Sequence, residues 1–440
     1  MQFKVKRSRL GGEIFIPASK SHTIRAIAIA SMAEGESILN HPLVSADALS
    51  CVDAGREMGA TIRTGKEYRE QSDLLRIKVR NLDDKDFIIE GIGGKPALSC
   101  QSIHVGNSGT TLRIFTALAA LGEQKIIFDG DNSIRQRPMM PLLSALERLG
   151  AKIESANGKC PISIQGPISG GKTTVQGISS QFLTALLMAC PLAENDSEIT
   201  VENLNEQPYV EITLDWLKMQ GIEFEHKGLD WFRIKGRQRY KAFHRAIPGD
   251  FSTATFAITA AAITGAEILI RGLDFSDSQG DKVIFSHLEK MGVVIRHTGN
   301  GVLVRGGVLN GMNIDMNATP DALPALAVAG CFAKGQTRLL NVPQARLKEC
   351  DRIAAMTNEL KKMGADITEL PDGIIINQSR LKAADVHGWD DHRIVMALTL
   401  AGLSIDGETV VDTAEAAGVT YPGFRDDFIA LGSRIEEINN

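Results

Sequence analysis

None of the six cysteines forms a Cys-x-x-Cys pair, which removes the usual zinc and redox-pair spacings. Cys51, Cys100, Cys160, Cys190, Cys331 and Cys350 lie far apart, four of them in or beside apolar runs. They read as buried, reduced thiols of a cytoplasmic protein, not as disulfide partners. No apolar run is long enough for a bilayer, and the candidates are rich in Thr. An excess of positive charge is also missing. A formal net charge of −5 argues against general nucleic-acid binding and confines any anion site to a local basic pocket. Low-complexity and linker-like stretches are absent, and Met1-Gln2-Phe3-Lys4-Val5-Lys6 reads as a strand rather than a signal peptide. At 440 residues, 43% of them hydrophobic, the chain is long enough for more than one domain.

What is present is a repeat. Pro17-Ala18-Ser19-Lys20-Ser21-His22-Thr23-Ile24-Arg25 is a polar head leading into an Ala/Ile-rich run, Ala26 to Ala33, that stops at Gly35. Ser19 or Ser21 suits an N-cap, and the run behind it is apolar on nearly all sides, so it predicts a buried helix. Five further heads follow the same plan: Gly106-Asn107-Ser108-Gly109, Ser179-Ser180-Gln181, Gly249-Asp250-Phe251-Ser252, Pro320-Asp321 and Asp390-Asp391-His392-Arg393. From Gly109 onward they recur at about 70 residues. A second series runs in phase with the first: an amphipathic helix end, a Gly stop and a strand start. It is seen at Leu146 to Ile153, Leu217 to Phe224, Leu288 to Ile295, Leu360 to Ile367 and Phe428 to Ile435, with a weaker copy at Met58-Gly59-Ala60-Thr61-Ile62. Strand-like runs lie between: Leu75–Val79, Phe87–Glu90, Lys125–Phe128, Glu198–Val201, Glu267–Ile270, Thr337–Leu340 and Glu408–Val411. The alternation predicts an α/β class. Charged Arg237-Gln238-Arg239-Tyr240-Lys241 marks the candidate boundary, with three units on each side.

A helix start carries unpaired N–H donors and a partial positive charge, so each head is a candidate anion site. In the first half the heads offer hydroxyls, amides and cations; in the second half they offer Asp250, Asp321 and Asp391. An Asp there is either an N-cap, worth about 1 kcal/mol, or a functional carboxylate. Asp250 is read as a cap; for Asp321 and Asp391 both readings stand. Basic residues are bunched at Lys20/Arg25, Arg135/Arg137 and Lys348/Arg352. The turn Asp129 to Arg137 leads into a helix with Pro138 at its first position, where a lone Arg137 is by default solvated. Lys348-Glu349-Cys350-Asp351-Arg352 is expected to open a helix running to Gly364, with Lys348 and Arg352 on one face. His392 and Arg393 stand where a helix dipole disfavours cations, which points to a compensating anion.

Taken together and in this order, Ser19-Lys20-Ser21…Arg25, Gly106 to Arg113, Arg135-Gln136-Arg137-Pro138, Ser179-Ser180-Gln181, Pro320-Asp321, Lys348-Glu349…Asp351-Arg352 and Asp391-His392-Arg393 make the chain resemble the enolpyruvyl transferases. The resemblance runs from about Gly11 to Phe428 and is nearest the branch that acts on shikimate 3-phosphate. It implies a two-domain inside-out α/β barrel of six βαβαββ-type repeats, three per domain. One lobe is residues 1–20 with 243–440 and the other is 21–242, with the active site in the cleft between them. It implies transfer of the enolpyruvyl group of phosphoenolpyruvate to the 5-hydroxyl of shikimate 3-phosphate, with release of phosphate and without metal or organic cofactor. Both substrates are small polyanions; neither nucleic acid nor membrane is an expected partner, and a monomer is expected.

Carried over residue by residue, Lys20, Gly109, Arg137, Gln181, Arg352 and Arg393 would hold phosphoenolpyruvate. Lys20, Ser21, Arg25, Ser179, Ser180, Gln181, Asp321 and Lys348 would hold the acceptor. Asp321 would take the hydroxyl proton and Glu349 would protonate the methylene carbon, assisted by Lys20 and His392. The sister branch acting on UDP-N-acetylglucosamine carries a cysteine shortly before Arg-Pro, and no cysteine occurs here between Cys100 and Cys160. Three positions depart from the pattern. Glu206 replaces a Ser before Gln207-Pro208-Tyr209, Val419 replaces a Lys before Thr420-Tyr421-Pro422, and Ile114 replaces a Pro. The first two remove hydrogen bonding or positive charge from the expected site. They motivate one alternative, a related transferase with another hydroxyl acceptor; a separate reading from another class is a non-catalytic polyanion-binding protein on the same scaffold.

Overall fold

The computed structural model describes residues 1–74 and 82–439; the strand expected over Leu75–Val79 lies outside them. The described chain divides into two compact units, Met1–Pro17 with Pro248–Asn440, and Ala18–Ile247.

One repeat serves as the pattern for all. The strand Gly171–Gln176 leads into the helix Ser180–Ala189 and then into the strand Ser197–Glu202, which pairs parallel with the first. A parallel pair needs such a crossover, and the helix provides it. The second helix, Gln207–Met219, is followed by the hairpin of Phe224–Lys227 and Trp231–Ile234. The last strand of the hairpin slots beside the second strand, so the sheet order is first, second, fourth, third. Among the described residues all six four-stranded sheets follow this order.

Three repeats are completed by strands from far along the chain. His244–Ala246 supplies the first strand to the repeat of the helix Lys20–Met32, pairing parallel with Glu34–Asn40. Gly12–Phe15 does the same for the repeat of the helix Phe251–Thr264, pairing parallel with Glu267–Arg271. Gln2–Lys6 is the fourth strand of the final repeat, between Glu408–Asp412 and Arg434–Ile438. The chain therefore passes from one unit to the other twice, each time just after one of these donated strands.

In each repeat the first helix is the buried one. Every residue from Phe251 to Ala262 and from His392 to Leu403 is buried, as the absence of a polar stripe requires. The second helices are amphipathic; in Arg352–Lys362 the buried set includes Ile353, Met356 and Leu360. Five of the six buried helices begin on a side-chain cap: Ser19, Ser108, Ser179, Asp250 and Asp391 each accept a first-turn backbone N–H. The sixth, Leu323–Phe332, is entered through the 3-10 turn Pro320–Ala322 with no side-chain cap, and the Asp321 carboxylate accepts from Arg352 Nη1 at 2.8 Å.

Two local expectations are corrected. The helix after the Arg135–Arg137 turn starts at Met140 and has Pro141, not Pro138, in its first turn. The helix expected to open at Lys348 starts at Arg352, because the Asp351 side chain accepts from Ala354 N at 3.0 Å and sets the boundary there. Lys348 and Arg352 therefore do not share a helix face.

Candidate active site

In the unit Ala18–Ile247 the starts of the three buried helices are tied to one another by polar side chains. Lys20, in the first turn after the Ser19 cap, sits 3.2 Å from the Asp47 carboxylate, and both are largely buried. One turn further in, Arg25 is fully buried. It donates to Thr213 Oγ1 (2.9 Å), to the Ser21 carbonyl (3.0 Å), to Thr184 Oγ1 (3.3 Å) and to the Tyr209 carbonyl (2.8 Å). These acceptors are neutral, and burial pulls the guanidinium down to about 10. Next to Ser21, His22 Nδ1 accepts from Trp216 Nε1 at 3.0 Å, which anchors this helix start to the helix Gln207–Met219.

Gly109 opens the next buried helix, and two guanidiniums crowd it. A Cβ there would lie 2.5 Å from Arg113 Nη1 and 2.7 Å from Arg137 Nη1, so only glycine lets both cations approach this backbone. Arg113 Nη1 donates to Gln181 Oε1 at 2.6 Å, joining the second helix start to the third. Arg137 donates to Asn107 Oδ1 (2.6 Å) and Ser133 Oγ (3.1 Å) and is buried, contrary to the solvated default for a lone Arg. Arg135 turns instead to Asp129 in an exposed ion pair at 2.6 Å.

At the third start, Ser179 caps the helix and Glu206 lies against it. Glu206 Oε2 accepts from Ser180 N (3.2 Å), Ser180 Oγ (2.9 Å) and Ser179 Oγ (3.4 Å).

In the other unit the corresponding starts carry a buried cluster of both signs. Arg352 donates from Nε to Asp391 Oδ2 (2.8 Å), from Nη1 to Asp321 Oδ1 (2.8 Å) and from Nη2 to Glu349 Oε2 (2.7 Å). Burial opposes its charge, but the carboxylates of Asp391, Glu349 and Asp321 outweigh that and hold the guanidinium well above its ordinary value. Asp391 also caps its helix, accepting from Arg393 N at 2.8 Å. The anions that the sequence called for at His392 and Arg393 include carboxylates of the chain itself: Asp391 beside His392 and Asp321 beside the Arg393 guanidinium. Arg393 donates to the Ser252 carbonyl (2.9 Å) and lies 3.6 Å from Asp321 Oδ2, so it links all three starts of this unit. Lys348 reaches Asp321 at 3.7 Å from outside the helix. His392 is buried, with Nδ1 4.0 Å from Asp391 Oδ1. The thiol of Cys350 lies 3.6 Å from Asp391 Oδ2, and burial together with that carboxylate pushes its pKa up. Val419 ends the 3-10 turn Ala414–Val419 and brings no charge to this unit.

Within each unit the expected site residues are gathered: Lys20, Ser21, Arg25, Gly109, Arg137, Ser179, Ser180 and Gln181 in one, and Asp321, Lys348, Glu349, Arg352, His392 and Arg393 in the other. Residue reasoning missed Asp47 as the partner of Lys20 and Arg113 as the partner of Gln181. Asp47 looks like any first-turn acid of an amphipathic helix, whereas Arg113 stood in a quoted motif and lacked only a role. Among the described residues, no group of His, Cys, Asp and Glu is arranged to hold a metal ion, and no helix is long and apolar enough to cross a membrane.

Six repeats of one βαβαββ plan, with cations and carboxylates at the helix starts, define a transferase of the enolpyruvyl class acting on small anions. Residues 5–428 match the family described as EPSP synthase (3-phosphoshikimate 1-carboxyvinyltransferase), and the chain belongs to that family. It is 50% identical over 426 residues to a protein of Acetivibrio thermocellus named 3-phosphoshikimate 1-carboxyvinyltransferase, covering 96% of each chain. It is 47% identical over 440 residues to a protein of the same name from Ruminiclostridium cellulolyticum, covering 100% of each. A solved EPSP synthase of Acinetobacter baumannii superposes with a TM-score of 0.78 at 26% identity, covering 99% of both chains.

Proposed function

We propose that this protein transfers the enolpyruvyl group of phosphoenolpyruvate to the 5-hydroxyl of shikimate 3-phosphate and releases inorganic phosphate. The observation that carries the reading is family membership across residues 5–428 together with relatives of that name at up to 50% identity. Another acceptor, the alternative raised by Glu206 and Val419, has no such support.

The residue roles in this reading are those that the family resemblance implies. Lys20, Gly109, Arg137, Gln181, Arg352 and Arg393 hold phosphoenolpyruvate. Lys20, Ser21, Arg25, Ser179, Ser180, Gln181, Asp321 and Lys348 hold the acceptor. The acceptor hydroxyl adds to the substituted carbon of the enol while its proton passes to Asp321 and the methylene carbon takes a proton from Glu349. Elimination then expels phosphate, regenerates the double bond and returns the methyl proton to the enzyme, with Lys20 and His392 assisting. Asp321 and Glu349 sit 2.8 and 2.7 Å from one guanidinium, so the base and the acid of this reading stand at the same cation. In the same reading the protein is a cytoplasmic monomer.

The test is phosphate release from purified protein given both substrates, with product identified by mass spectrometry. Turnover with shikimate 3-phosphate that Asp321→Ala and Glu349→Ala abolish is the expected result. Silence at high enzyme and substrate would defeat the reading, and turnover that survives both substitutions would defeat the residue roles.

A further inference from the structure

Glu206 occupies an unusual position. It is buried, its backbone is left-handed at φ +57°, and it stands at the N-cap position of the helix Gln207–Met219 without capping it. Its carboxylate is spent on the neighbouring helix instead. One oxygen collects the Ser180 N–H, the Ser180 hydroxyl and the Ser179 hydroxyl. A carboxylate drawing three donors at a helix start is the arrangement by which proteins hold phosphate. Here the anion belongs to the chain. The helix that carries Glu206 also supplies the Tyr209 carbonyl and Thr213 hydroxyl that clamp Arg25, so the carboxylate is borne by the same element that orients a cation of the acceptor set.

We propose that Glu206 tunes acceptor affinity as an internal competitor: its carboxylate fills the Ser179–Ser180 cradle, and the phosphate of the acceptor has to displace it. This rests on the reading that Ser179 and Ser180 hold the acceptor. A phosphate and a carboxylate cannot share these donors, because like charges at hydrogen-bonding distance repel strongly and each hydroxyl has a single proton to give. Acceptor affinity is therefore the difference between two occupants of one cradle, and Glu206 lowers it without touching the reacting atoms.

The experiment is steady-state kinetics on Glu206→Ser and Glu206→Gln, with each substrate varied in turn, beside Ser180→Ala. Loss of the competing charge is expected to lower KM for shikimate 3-phosphate about tenfold in Glu206→Ser, equivalent to about 1.4 kcal/mol. A smaller fall is expected in Glu206→Gln, whose amide oxygen still accepts. KM for phosphoenolpyruvate and kcat should stay within about twofold. A purely structural cap would give the opposite, an unchanged or higher acceptor KM in both variants, and that result overturns the proposal. Should Glu206→Ser fail to fold, the isosteric Glu206→Gln decides alone. Ser180→Ala separates the two ways of failing. If it raises the acceptor KM while neither Glu206 variant lowers it, competition is wrong and the placement of the acceptor stands. If, combined with Glu206→Ser so that no carboxylate competes for the cradle, it leaves that KM unchanged, the placement is wrong and the proposal falls with it.

Discussion

Arg352 and Asp391 meet edge to edge: Nε lies 2.8 Å from Oδ2 and Nη2 3.3 Å from Oδ1, with both side chains buried. A fork of two parallel bonds fixes the plane of the guanidinium, and with it where the remaining N–H groups point. Breaking a buried pair by removing one partner costs about 3–5 kcal/mol, because the survivor keeps its charge without compensation. Asp391→Ala should therefore lower the urea midpoint substantially. Asp391→Asn keeps an oxygen for Arg393 N and should be less damaging by roughly the 1 kcal/mol of the lost cap. Wild-type stability in Asp391→Ala would show that the fork holds nothing together.

The other side of Arg352 is taken by Asp321 and Glu349. Both are internal anions standing where the proposed site receives the carboxylate or phosphate of phosphoenolpyruvate. Neutralising either should cost about 10²- to 10⁴-fold in kcat, as expected for removal of a general acid or base. It should leave phosphoenolpyruvate binding intact or tighter, because one competitor for the guanidinium is gone. Calorimetric titration of Asp321→Asn and Glu349→Gln separates the two effects. Binding that collapses along with kcat would mean that these carboxylates build the pocket rather than run the reaction.

What the residues disclosed and what they hid follows from the range of each interaction. Helix starts were legible because a cap, a dipole and an apolar run behind them are local, and Ser19, Ser179, Asp250 and Asp391 all behave as caps. Partnerships between helix starts were not legible. Lys20 with Asp47, Arg113 with Gln181 and Arg352 with Asp391 each join residues at least 27 positions apart, which no period reports. The pairings of the donated strands Gly12–Phe15 and His244–Ala246 were hidden from spacing for the same reason, since each pairs with a strand more than 200 residues away, and only the family resemblance placed residues 1–20 with the far end of the chain. The shared face assigned to Lys348 and Arg352 failed on a local competition that spacing ignores. Asp351 offers a better cap than its neighbours and moves the helix start past Lys348.

Arg25 tests whether planarity or charge is what the acceptor set needs. Its bonds run to two hydroxyls and two carbonyls on three sides. A lysine brings a charge but three donors in a different geometry, and leaves buried acceptors unmatched. Each unmatched buried group costs about 1–3 kcal/mol. Arg25→Lys is expected to raise KM for shikimate 3-phosphate by tenfold or more and to lower thermal stability. Unaltered kinetics in a folded Arg25→Lys protein would remove Arg25 from the acceptor set.

Buried thiols make the fold sensitive to alkali. Burial pushes Cys160 and Cys331 up to about 12 and Cys190 up to about 11, from an ordinary value of 9.0. These are groups whose folded pKa lies above the unfolded one, so their contribution is fully present below pH 9 and is lost as the pH climbs toward 11 and 12. In that window the unfolded chain sheds thiol protons that the folded chain keeps. At pH 10 each of the three should therefore have cost the fold about 1 kcal/mol relative to pH 8. Denaturant unfolding at pH 8 and pH 10 measures the total fall, to which Cys51, Cys100 and Cys350, also pushed up, add their own shares. The same pair of measurements on Cys160→Ala/Cys190→Ala/Cys331→Ala should show a lower starting stability, from lost packing, but a shallower fall with pH. Because the thiolate is the nucleophile, the same burial keeps these thiols slow to alkylate in the folded protein at pH 8 and quick once it unfolds. An equal fall with pH in the triple variant would place the alkaline sensitivity elsewhere in the chain.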